Sequence, residues 1–525
     1  MEATCGYVGC KRKKTRSGRC ILHLDRKNPS EAREFDSSLQ AEIKRMQEDA
    51  TLDMIDLSEF RFPEPTYKFP SETRFKKAIS FSGVVFEGKV DFSGIEFQGP
   101  ATFDYAKFLA DATFDSAKFL EKATFESARF DGIVTFSESE FSGEATFFQC
   151  RFTHGVEFQY AKFSGSAVFN YAQFSGFAWF IDTEFSGNAV FNYAQFSCIT
   201  SFAGSEFSDN VLFGYAKFSD LVSFNNAKFS GAASFDYAKF SGPANFDDAK
   251  FLGFATFLES EFLSDATFFQ SEFSGDTSFH GLKVSSLMTF RATVFQTRND
   301  QILFLPIKPY TRFDEIKVGP RGEVRFEGGV CMSRVSLHYT DTRRFSFLDV
   351  KWGRIDGRAS IMEHGILKKQ KEPTITPEHV HQIYVGLRRN LEHGAGRYPE
   401  AGDFFINEKE MRKLILQERR RWPPAENLPE WLILKIYGGL ALYGESIMRP
   451  IFWSVLVVFT FWLLRAFFFR LQLTDAKSYL DFLMESMMAF FQMRSEPGVD
   501  ILERLISVPI LGSLFIALKR KFERR

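Results

Sequence analysis

Three cysteines and one histidine near the N-terminus form the first candidate site in the sequence. Cys5, Cys10, Cys20 and His23 are spaced C-x4-C-x9-C-x2-H. Three thiolates and one imidazole complete the tetrahedral ligand set of a zinc ion, and a closed set of protein ligands holds zinc in a structural role. Residues 1–29 are therefore predicted to form a zinc-binding module in which the metal replaces a hydrophobic core. The alternative is a frayed terminus with incidental cysteines.

A short polar segment between two apolar runs near the C-terminus is the second candidate site. It contains Gln492, Arg494, Glu496 and Gly498. These residues either line the mouth of a nonselective pore or are ordinary loop residues. No enzyme is predicted, because the eight histidines are scattered and the glycines do not form a phosphate-binding loop.

The chain between these two sites repeats. Phenylalanine occupies every eleventh position in two interleaved series, Phe75 to Phe295 and Phe81 to Phe290, with Val284 as the one exception. Because the spacings alternate between five and six residues, the phenylalanines cannot all lie on one face of an α-helix or on one face of a flat sheet. A chain that turns a corner after each short segment directs one phenylalanine inward from every segment. The predicted core includes Phe103, Phe108, Phe114, Phe119, Phe169, Phe174, Phe235 and Phe240.

These units resemble the pentapeptide-repeat family, in which a small residue precedes the central phenylalanine by two positions. The resemblance implies a mainly β fold, a right-handed quadrilateral β-helix over residues 75–295. One extra residue in every second unit makes a coil of 22 residues rather than 20, and about ten coils are predicted. Tyrosine recurs at the same interval, so Tyr171, Tyr193, Tyr215 and Tyr237 are predicted to stack on one face.

The segments on either side of the repeats are predicted to cap and extend them. Residues 30–74 form a helical N-terminal linker and cap, and residues 296–370 an irregular C-terminal cap. Residues 371–448 form a helical linker that ends in an amphipathic helix at a membrane interface.

Residues 449–525 are predicted to form a membrane domain. The segment 450–469 is long enough to span a bilayer, and its one charge, Arg465, lies near an end, where it can extend to the headgroups. A second apolar run, 503–518, ends on a basic cluster and is predicted to return, with the repeats and the C-terminus in the cytoplasm. The apolar segment 479–491 between them is too short to cross. The alternative is one span and an amphipathic tail.

The order of span, short helix, loop and span resembles a two-helix pore module of the potassium-channel type. The region also resembles the membrane part of many bacterial pentapeptide-repeat proteins, by its linker Asn390-Leu-Glu, its Tyr443-Gly-Glu-Ser446 segment and its Ala517-Leu-Lys-Arg-Lys end. That resemblance implies a homo-oligomer in the cytoplasmic (inner) membrane. The T-x-G-x-G segment that coordinates potassium is missing, so potassium selectivity is not implied.

Charge is distributed unevenly. Residues 75–295 contain 15 Lys and Arg against 26 Asp and Glu, a net charge of −11, whereas the rest of the chain is basic. Two functions therefore remain open. One is an oligomeric ion-channel-like protein with a cytosolic β-helix sensing domain. The other is a membrane-tethered scaffold whose acidic β-helix binds an unknown protein. A nucleic-acid partner is not expected, and mimicry of DNA, known in the family, is disfavoured by the membrane segment and the interspersed lysines.

Overall fold

The structure is a computed structural model of the 525-residue chain. It describes residues 19–24, 29–63, 66–70, 73–295, 311–368, 375–393, 399–418, 428–468, 476–493 and 499–523. The chain divides into two compact units, Met1–Trp352 and Gly353–Arg525.

The first unit is a β-solenoid. Its described residues form four parallel sheets, along which each strand pairs with the strands one coil before and one coil after. Sheet 1 runs from Met54–Asp56 to Val335–Ser336, sheet 2 from Arg61–Phe62 to Lys317–Val318, sheet 3 from Thr66–Lys68 to Phe345–Leu348 and sheet 4 from Arg74–Phe75 to Val294–Phe295. The solenoid has about twelve coils. It therefore extends beyond the predicted residues 75–295 at both ends.

The 22-residue coil follows directly from the strand pairing. Most strands have two residues, and partners in a sheet are 22 positions apart, as in Ala101↔Ala123 and Phe108↔Phe130. Each strand is too short to be stable alone, so its backbone hydrogen bonds go to neighbouring coils. The right-handed sense of the coil stays a prediction from the family resemblance.

Phenylalanine rings fill the inside of the solenoid in four columns. Phe103, Phe108, Phe114, Phe119, Phe169, Phe174, Phe235 and Phe240 are all buried. Within a column the rings lie parallel, with 4.7 Å between the centroids of Phe119 and Phe141. Neighbouring columns meet edge to face, as for Phe103 and Phe114 at 5.5 Å and 90°. Both arrangements are favourable for aromatic quadrupoles, so the core has attractive contacts along and across the axis.

Helix α1 (Pro29–Glu48) precedes the first coil. Its Phe35 is buried and packs edge to face on Phe62 at 5.2 Å. Lys77 donates to the carbonyl oxygens of Met46 and Asp49 at 3.1 and 2.6 Å, where the helix ends. The helix thereby covers the open end of the phenylalanine columns, which a solenoid needs for solubility.

The second unit is helical. An antiparallel hairpin, Gly353–Ile355 with Arg358–Ser360, precedes its helices. These are α2 (Met362–Lys368), α3 (Pro377–His393), α4 (Pro399–Glu418), α5 (Leu428–Ala441), α6 (Met448–Phe468), α7 (Ala476–Phe490) and α8 (Val499–Glu523). Helices α3 to α8 occur where the sequence predicts them, and α8 is longer than the predicted segment 503–518. Helix α2 was not predicted, because it lies within residues 296–370, which were assigned to the irregular cap.

Candidate functional site

Helices α6 and α8 each contain a long apolar segment within the described part of the chain. By length and composition alone, Met448–Phe467 and Ile501–Arg520 are able to cross a membrane, although two such helices are weak evidence. The core helix of a soluble protein passes the same test, but that kind of helix is mostly buried. Only 22% and 28% of these two segments are buried.

The outer surfaces of α6, α7 and α8 are apolar. Phe452, Val455 and Phe467 of α6 are each more than 60% exposed, and so are Leu505 and Phe515 of α8. Soluble proteins rarely expose contiguous apolar surface on this scale. The arrangement suits a hydrocarbon environment or a protein partner that covers the helices.

The inside of the same helices is polar. Arg465 of α6 lies 2.9 Å from Glu503 of α8, and their side chains are 3% and 0% exposed. Ser486 of α7 and Ser507 of α8 are also buried. The prediction that Arg465 extends to lipid headgroups is wrong, because a carboxylate on the neighbouring helix is close enough to pair with it. Sequence reasoning missed Glu503, although a single acid at the start of the second apolar run was the available signal.

Gln492 is the one predicted pore residue within the described part of the chain. It has a φ of 64° just after α7, and its Nε2 donates to the Ser507 hydroxyl at 2.8 Å. Its carbonyl oxygen accepts from Nη2 of Arg504 at 2.7 Å. Gln492 therefore joins the end of α7 to α8. Arg494, Glu496 and Gly498 lie outside the described residues.

Tyr443 lies at a junction between α4, α5 and α8. It is fully buried, and its hydroxyl donates to Oε1 of Glu410 at 2.7 Å. Burial and this carboxylate raise the pKa of Tyr443 well above its ordinary value. Arg520 of α8 donates to the Tyr443 carbonyl at 3.1 Å and to Oε1 of Glu445 at 3.0 Å. The Tyr443-Gly-Glu segment singled out in the sequence is thus a structural connection between three helices.

Arg520 also contacts an aromatic ring at this junction. Its guanidinium carbon lies 3.9 Å from the centre of the Phe405 ring of α4, a cation–π contact. Gly444 next to Tyr443 has a φ of 85°, and a Cβ there would lie 2.5 Å from the Tyr437 hydroxyl oxygen. Glycine is therefore required at this position, because any side chain would strain the backbone and clash.

A buried hydrogen-bond network holds α2, α3 and α4 together. The Tyr384 hydroxyl lies 2.8 Å from Nδ1 of His364, and Nδ2 of Asn407 donates to it at 3.2 Å. Asn407 also donates to the Ala359 carbonyl at 2.9 Å. Burial lowers the pKa of His364 to about 4, and nearby Lys368 acts in the same direction. His364 is therefore neutral at physiological pH.

Half of the predicted zinc site lies in the described residues. Cys20 and His23 are buried, and Sγ of Cys20 lies 3.1 Å from Nδ1 of His23. The Leu22 carbonyl between them accepts from the Arg61 backbone N–H of the first coil at 3.0 Å. Cys5 and Cys10 lie outside the described residues, within which no group of three or more potential ligands occurs.

The tyrosine column predicted from the sequence is present. Tyr171, Tyr193, Tyr215 and Tyr237 have φ values of 58° to 60° at successive corners of the coil. Their rings stack with centroid distances of 4.8, 4.9 and 4.8 Å and tilts of 5° or less. All four are 40% to 46% exposed, so the column is a surface feature.

Comparison with known proteins identifies the repeats. The sequence model described as Pentapeptide repeats matches residues 81–283 in nine overlapping copies, less than half of the chain. This segment consists of pentapeptide repeats. Neither a curated protein nor a solved structure matches the chain.

The outer faces of the pentapeptide-repeat solenoid differ in charge. On sheet 4, cations and acids alternate and pair between coils, as in Lys118–Glu140 at 3.5 Å and Lys162–Glu184 at 3.7 Å. On sheet 2, the outward positions from Lys107 to Lys239 carry no acid: Lys107, Arg129, Arg151, Gln173, Gln195, Lys217 and Lys239. The net negative charge of the repeats thus conceals one basic face.

Proposed function

We propose that the chain is a membrane-anchored pentapeptide-repeat protein, in which α6 and α8 form a hairpin that tethers the solenoid to the cytoplasmic (inner) membrane. The observation that carries the proposal is the inverted polarity of the hairpin. The ion pair Arg465–Glu503 is inside, while Phe452, Val455 and Leu505 face outward. Charged residues in membrane helices face the interior and pair with each other, whereas a soluble protein places them outside.

Cations at one end of the α6–α8 hairpin support an orientation of the hairpin in the membrane. Arg449 stands at the start of α6, and Lys519 and Arg520 stand near the end of α8. Arg520 contacts Glu445 just before α6, so these cations share one end. Basic residues flanking membrane helices favour the cytoplasmic side. This charge distribution supports an orientation with the solenoid and the C-terminus in the cytoplasm.

Helix α5 supports a position at the membrane interface. Leu432, Ile433 and Ile436 are exposed, and the ammonium of Lys435 lies 4.9 Å from the centre of the Trp431 ring. An exposed apolar face next to tryptophan and lysine is typical of helices that lie among headgroups.

Alkaline carbonate extraction of membranes from expressing cells tests the anchor. The full chain is expected to stay in the membrane pellet, and a chain ending before α6 is expected in the supernatant. Recovery of the full chain in the supernatant would exclude the anchor.

The exposed native Cys331 of the solenoid tests the orientation. A membrane-impermeant maleimide is expected to label it only after cells are permeabilised, with Cys331→Ser as the control. Labelling of Cys331 in intact spheroplasts would place the solenoid outside the cytoplasm.

Within this proposal the solenoid serves as a non-enzymatic scaffold for a protein partner. The buried ion pair favours a scaffold over a pore, because Arg465 and Glu503 pair with each other within one chain instead of facing a water-filled path. A cytosolic protein would bind the acidic surfaces of the solenoid, as the net charge of −11 suggests.

An ion-channel-like homo-oligomer is the second candidate. It is supported by the short helix α7, which follows α6 and is joined to α8 through Gln492 and Arg504, the arrangement of a pore module. Purified full-length protein in a planar bilayer tests it. Unitary currents that disappear when residues 479–500 are deleted would support the channel, whereas silent bilayers and a monomeric protein would leave the scaffold.

We further propose that Cys5, Cys10, Cys20 and His23 bind structural zinc at the N-terminal end of the solenoid. The proximity and burial of Cys20 and His23 fit two ligands of such a site. The zinc content of full-length protein tests this, with one zinc per chain expected, lost in Cys20→Ser and retained in Cys331→Ser. Purified protein without zinc, after expression with zinc supplied, would exclude the site.

A further inference from the structure

The basic face of the solenoid consists of Lys107, Arg129, Arg151, Lys217 and Lys239 on sheet 2, beside the column Tyr171, Tyr193, Tyr215 and Tyr237. A shallow groove of about 710 Å³ follows the N-terminal part of this face, where Lys107, Arg129 and Arg151 line it together with Tyr105 and Tyr171. Among the described residues, Lys107, Arg151 and Lys217 have no carboxylate within ion-pair distance. Their positive charge therefore remains available to a ligand.

Acidic residues pair with two cations of this face, Arg129 with Asp131 at 2.6 Å and Lys239 with Glu261 at 3.6 Å. Other acids at the neighbouring corners form hydrogen bonds elsewhere. Oδ1 of Asp104 accepts the backbone N–H of Glu126 at 2.8 Å, and Oδ1 of Asp236 accepts that of Leu258 at 3.0 Å. These carboxylates bridge consecutive coils, so they point along the solenoid axis. By contrast, each of Lys118, Lys162 and Lys228 on sheet 4 pairs with a glutamate.

The length of the basic face suits an extended anionic surface. Lys107 and Lys239 are six coils apart, and stacked rings in the solenoid repeat at 4.8 Å, so the row is about 29 Å long. A single small anion would engage one or two of these cations, whereas a sheet of phosphate groups would engage all of them. Each Lys or Arg near an anionic bilayer adds to the attraction, so a row of cations binds such a surface more strongly than any one of them does.

The tyrosine column distinguishes a lipid surface from a nucleic acid. Single-stranded nucleic acids bind by stacking bases on aromatic rings. Here each ring face is covered by the next ring, with 4.9 Å between the centroids of Tyr193 and Tyr215, so no base can insert. The edges and hydroxyls remain exposed, and tyrosine in this amphipathic setting is enriched at the headgroup level of membranes.

We propose that the basic face binds the phosphates of anionic lipid headgroups and lays the solenoid along the membrane surface. The inference rests on the proposed function, because the membrane anchor brings the solenoid to the bilayer. Attachment through one face leaves the acidic surfaces free for a protein partner.

Cysteine accessibility in vesicles containing the full-length protein tests the proposal. Ser219 follows the sheet 2 strand Lys217–Phe218, and Ser208 follows the sheet 4 strand Glu206–Phe207. Both are exposed, and their backbone N–H groups donate to equivalent phenylalanine carbonyls at 2.8 Å. Ser219→Cys and Ser208→Cys are therefore a matched pair. Each is made in a chain carrying Cys198→Ser and Cys331→Ser, and labelling is measured with a water-soluble maleimide against that parent.

At low salt, Ser219→Cys is expected to react about fivefold or more slowly in vesicles of phosphatidylcholine with phosphatidylglycerol than in phosphatidylcholine alone. Ser208→Cys is expected to react equally in both. Equal rates for Ser219→Cys in the two lipids would overturn the proposal. Protection of Ser219→Cys by polyglutamate, without protection by phosphatidylglycerol, would overturn it in favour of an acidic protein ligand.

Charge variants give a second, independent comparison. Glutamine already occupies positions 173 and 195 of the basic column, so glutamine at positions 107, 129, 151 and 217 is compatible with the fold. The variant Lys107→Gln, Arg129→Gln, Arg151→Gln, Lys217→Gln is expected to lose the protection. The variant Lys118→Gln, Lys162→Gln, Lys228→Gln, Lys250→Gln, with the same net charge, is expected to keep it, and loss in both would overturn the proposal.

Carbonate extraction separates this inference from the membrane anchor. A chain that resists extraction but shows no protection retains the anchor and refutes the basic face. A chain that is extracted but floats with phosphatidylglycerol vesicles at low salt, through the same four cations, refutes the anchor and supports the basic face.

Discussion

The guanidinium of Arg465 and the carboxylate of Glu503 lie 2.9 Å apart between two helices whose outer surfaces are apolar. Breaking a buried pair by removing one partner leaves an uncompensated charge and costs about 3–5 kcal/mol, whereas replacing both with apolar residues is often neutral. Arg465→Leu or Glu503→Leu is therefore expected to destabilise the hairpin strongly. The double variant is expected to recover most of the loss.

Size-exclusion chromatography of detergent-extracted protein after heating measures this effect through the temperature at which the monodisperse peak disappears. Leu463→Ile, on the exposed side of α6, is the control. A loss for the double variant equal to the sum of the two single losses would mean that the two side chains do not depend on each other.

Truncating one ring in the solenoid is expected to weaken several coils at once. Phe169 lies 4.7 Å from the rings of both Phe147 and Phe191, and it is fully buried. Phe169→Ala leaves a cavity and is expected to lower the free energy of unfolding by about 3–5 kcal/mol. Urea unfolding measures it. Tyr171→Ala, two positions away on the surface, is the matched control with an expected loss of about 1 kcal/mol.

Substitutions of Tyr443 and Gly444 are expected to destabilise the helical unit to different degrees. Tyr443→Phe removes the donor to Glu410 and is expected to cost about 1–3 kcal/mol, because a hydrogen bond to a charged group is lost. Gly444→Ala is expected to cost more, because it adds a clash with Tyr437 to a backbone with a φ of 85°. Thermal stability of the detergent-extracted protein measures both. A milder effect for Gly444→Ala would contradict the strained geometry.

The buried His364 predicts acid sensitivity in the helical unit. Its pKa is lowered from 6.5 to about 4, so the folded unit binds fewer protons than the unfolded one between these pH values. Its stabilising contribution is present above about pH 6.5 and is lost as the pH falls towards 4. The protection of residues 377–393 against hydrogen exchange, relative to the intrinsic rate at each pH, is expected to fall as the pH is lowered over this range. His364→Gln, which cannot be protonated in this pH range, is expected to flatten the pH dependence of this protection. An unchanged pH dependence would mean that another group causes it.

The regular part of the fold was predictable because its signal is periodic. The 22-residue coil, the phenylalanine core and the stacking of Tyr171 on Tyr193 all follow from spacings in the sequence. The full length of the solenoid was not predicted, because coils with Leu57 or Leu337 in place of phenylalanine break the period while keeping a buried apolar side chain.

Pairings between distant residues were less predictable. Arg465 and Glu503 are 38 positions apart, so their contact depends on how α6 and α8 pack rather than on any local pattern. The basic face was hidden for a related reason, since Lys107 and Arg129 are separated by acidic residues in sequence and become neighbours only in the coil.

The solenoid has a coil of 22 residues, and its phenylalanines repeat every eleven residues. Insertions of these two lengths have different consequences for the surface. Gaining or losing 22 residues changes the length by one coil and leaves every later side chain on its original face. Gaining or losing eleven residues also preserves the phenylalanine core, but it rotates everything downstream by half a turn. The tyrosine column would then continue on the opposite side of the rod. A gene encoding such a protein can therefore change which surface patches are aligned, without disturbing stability, by duplicating half of one coil.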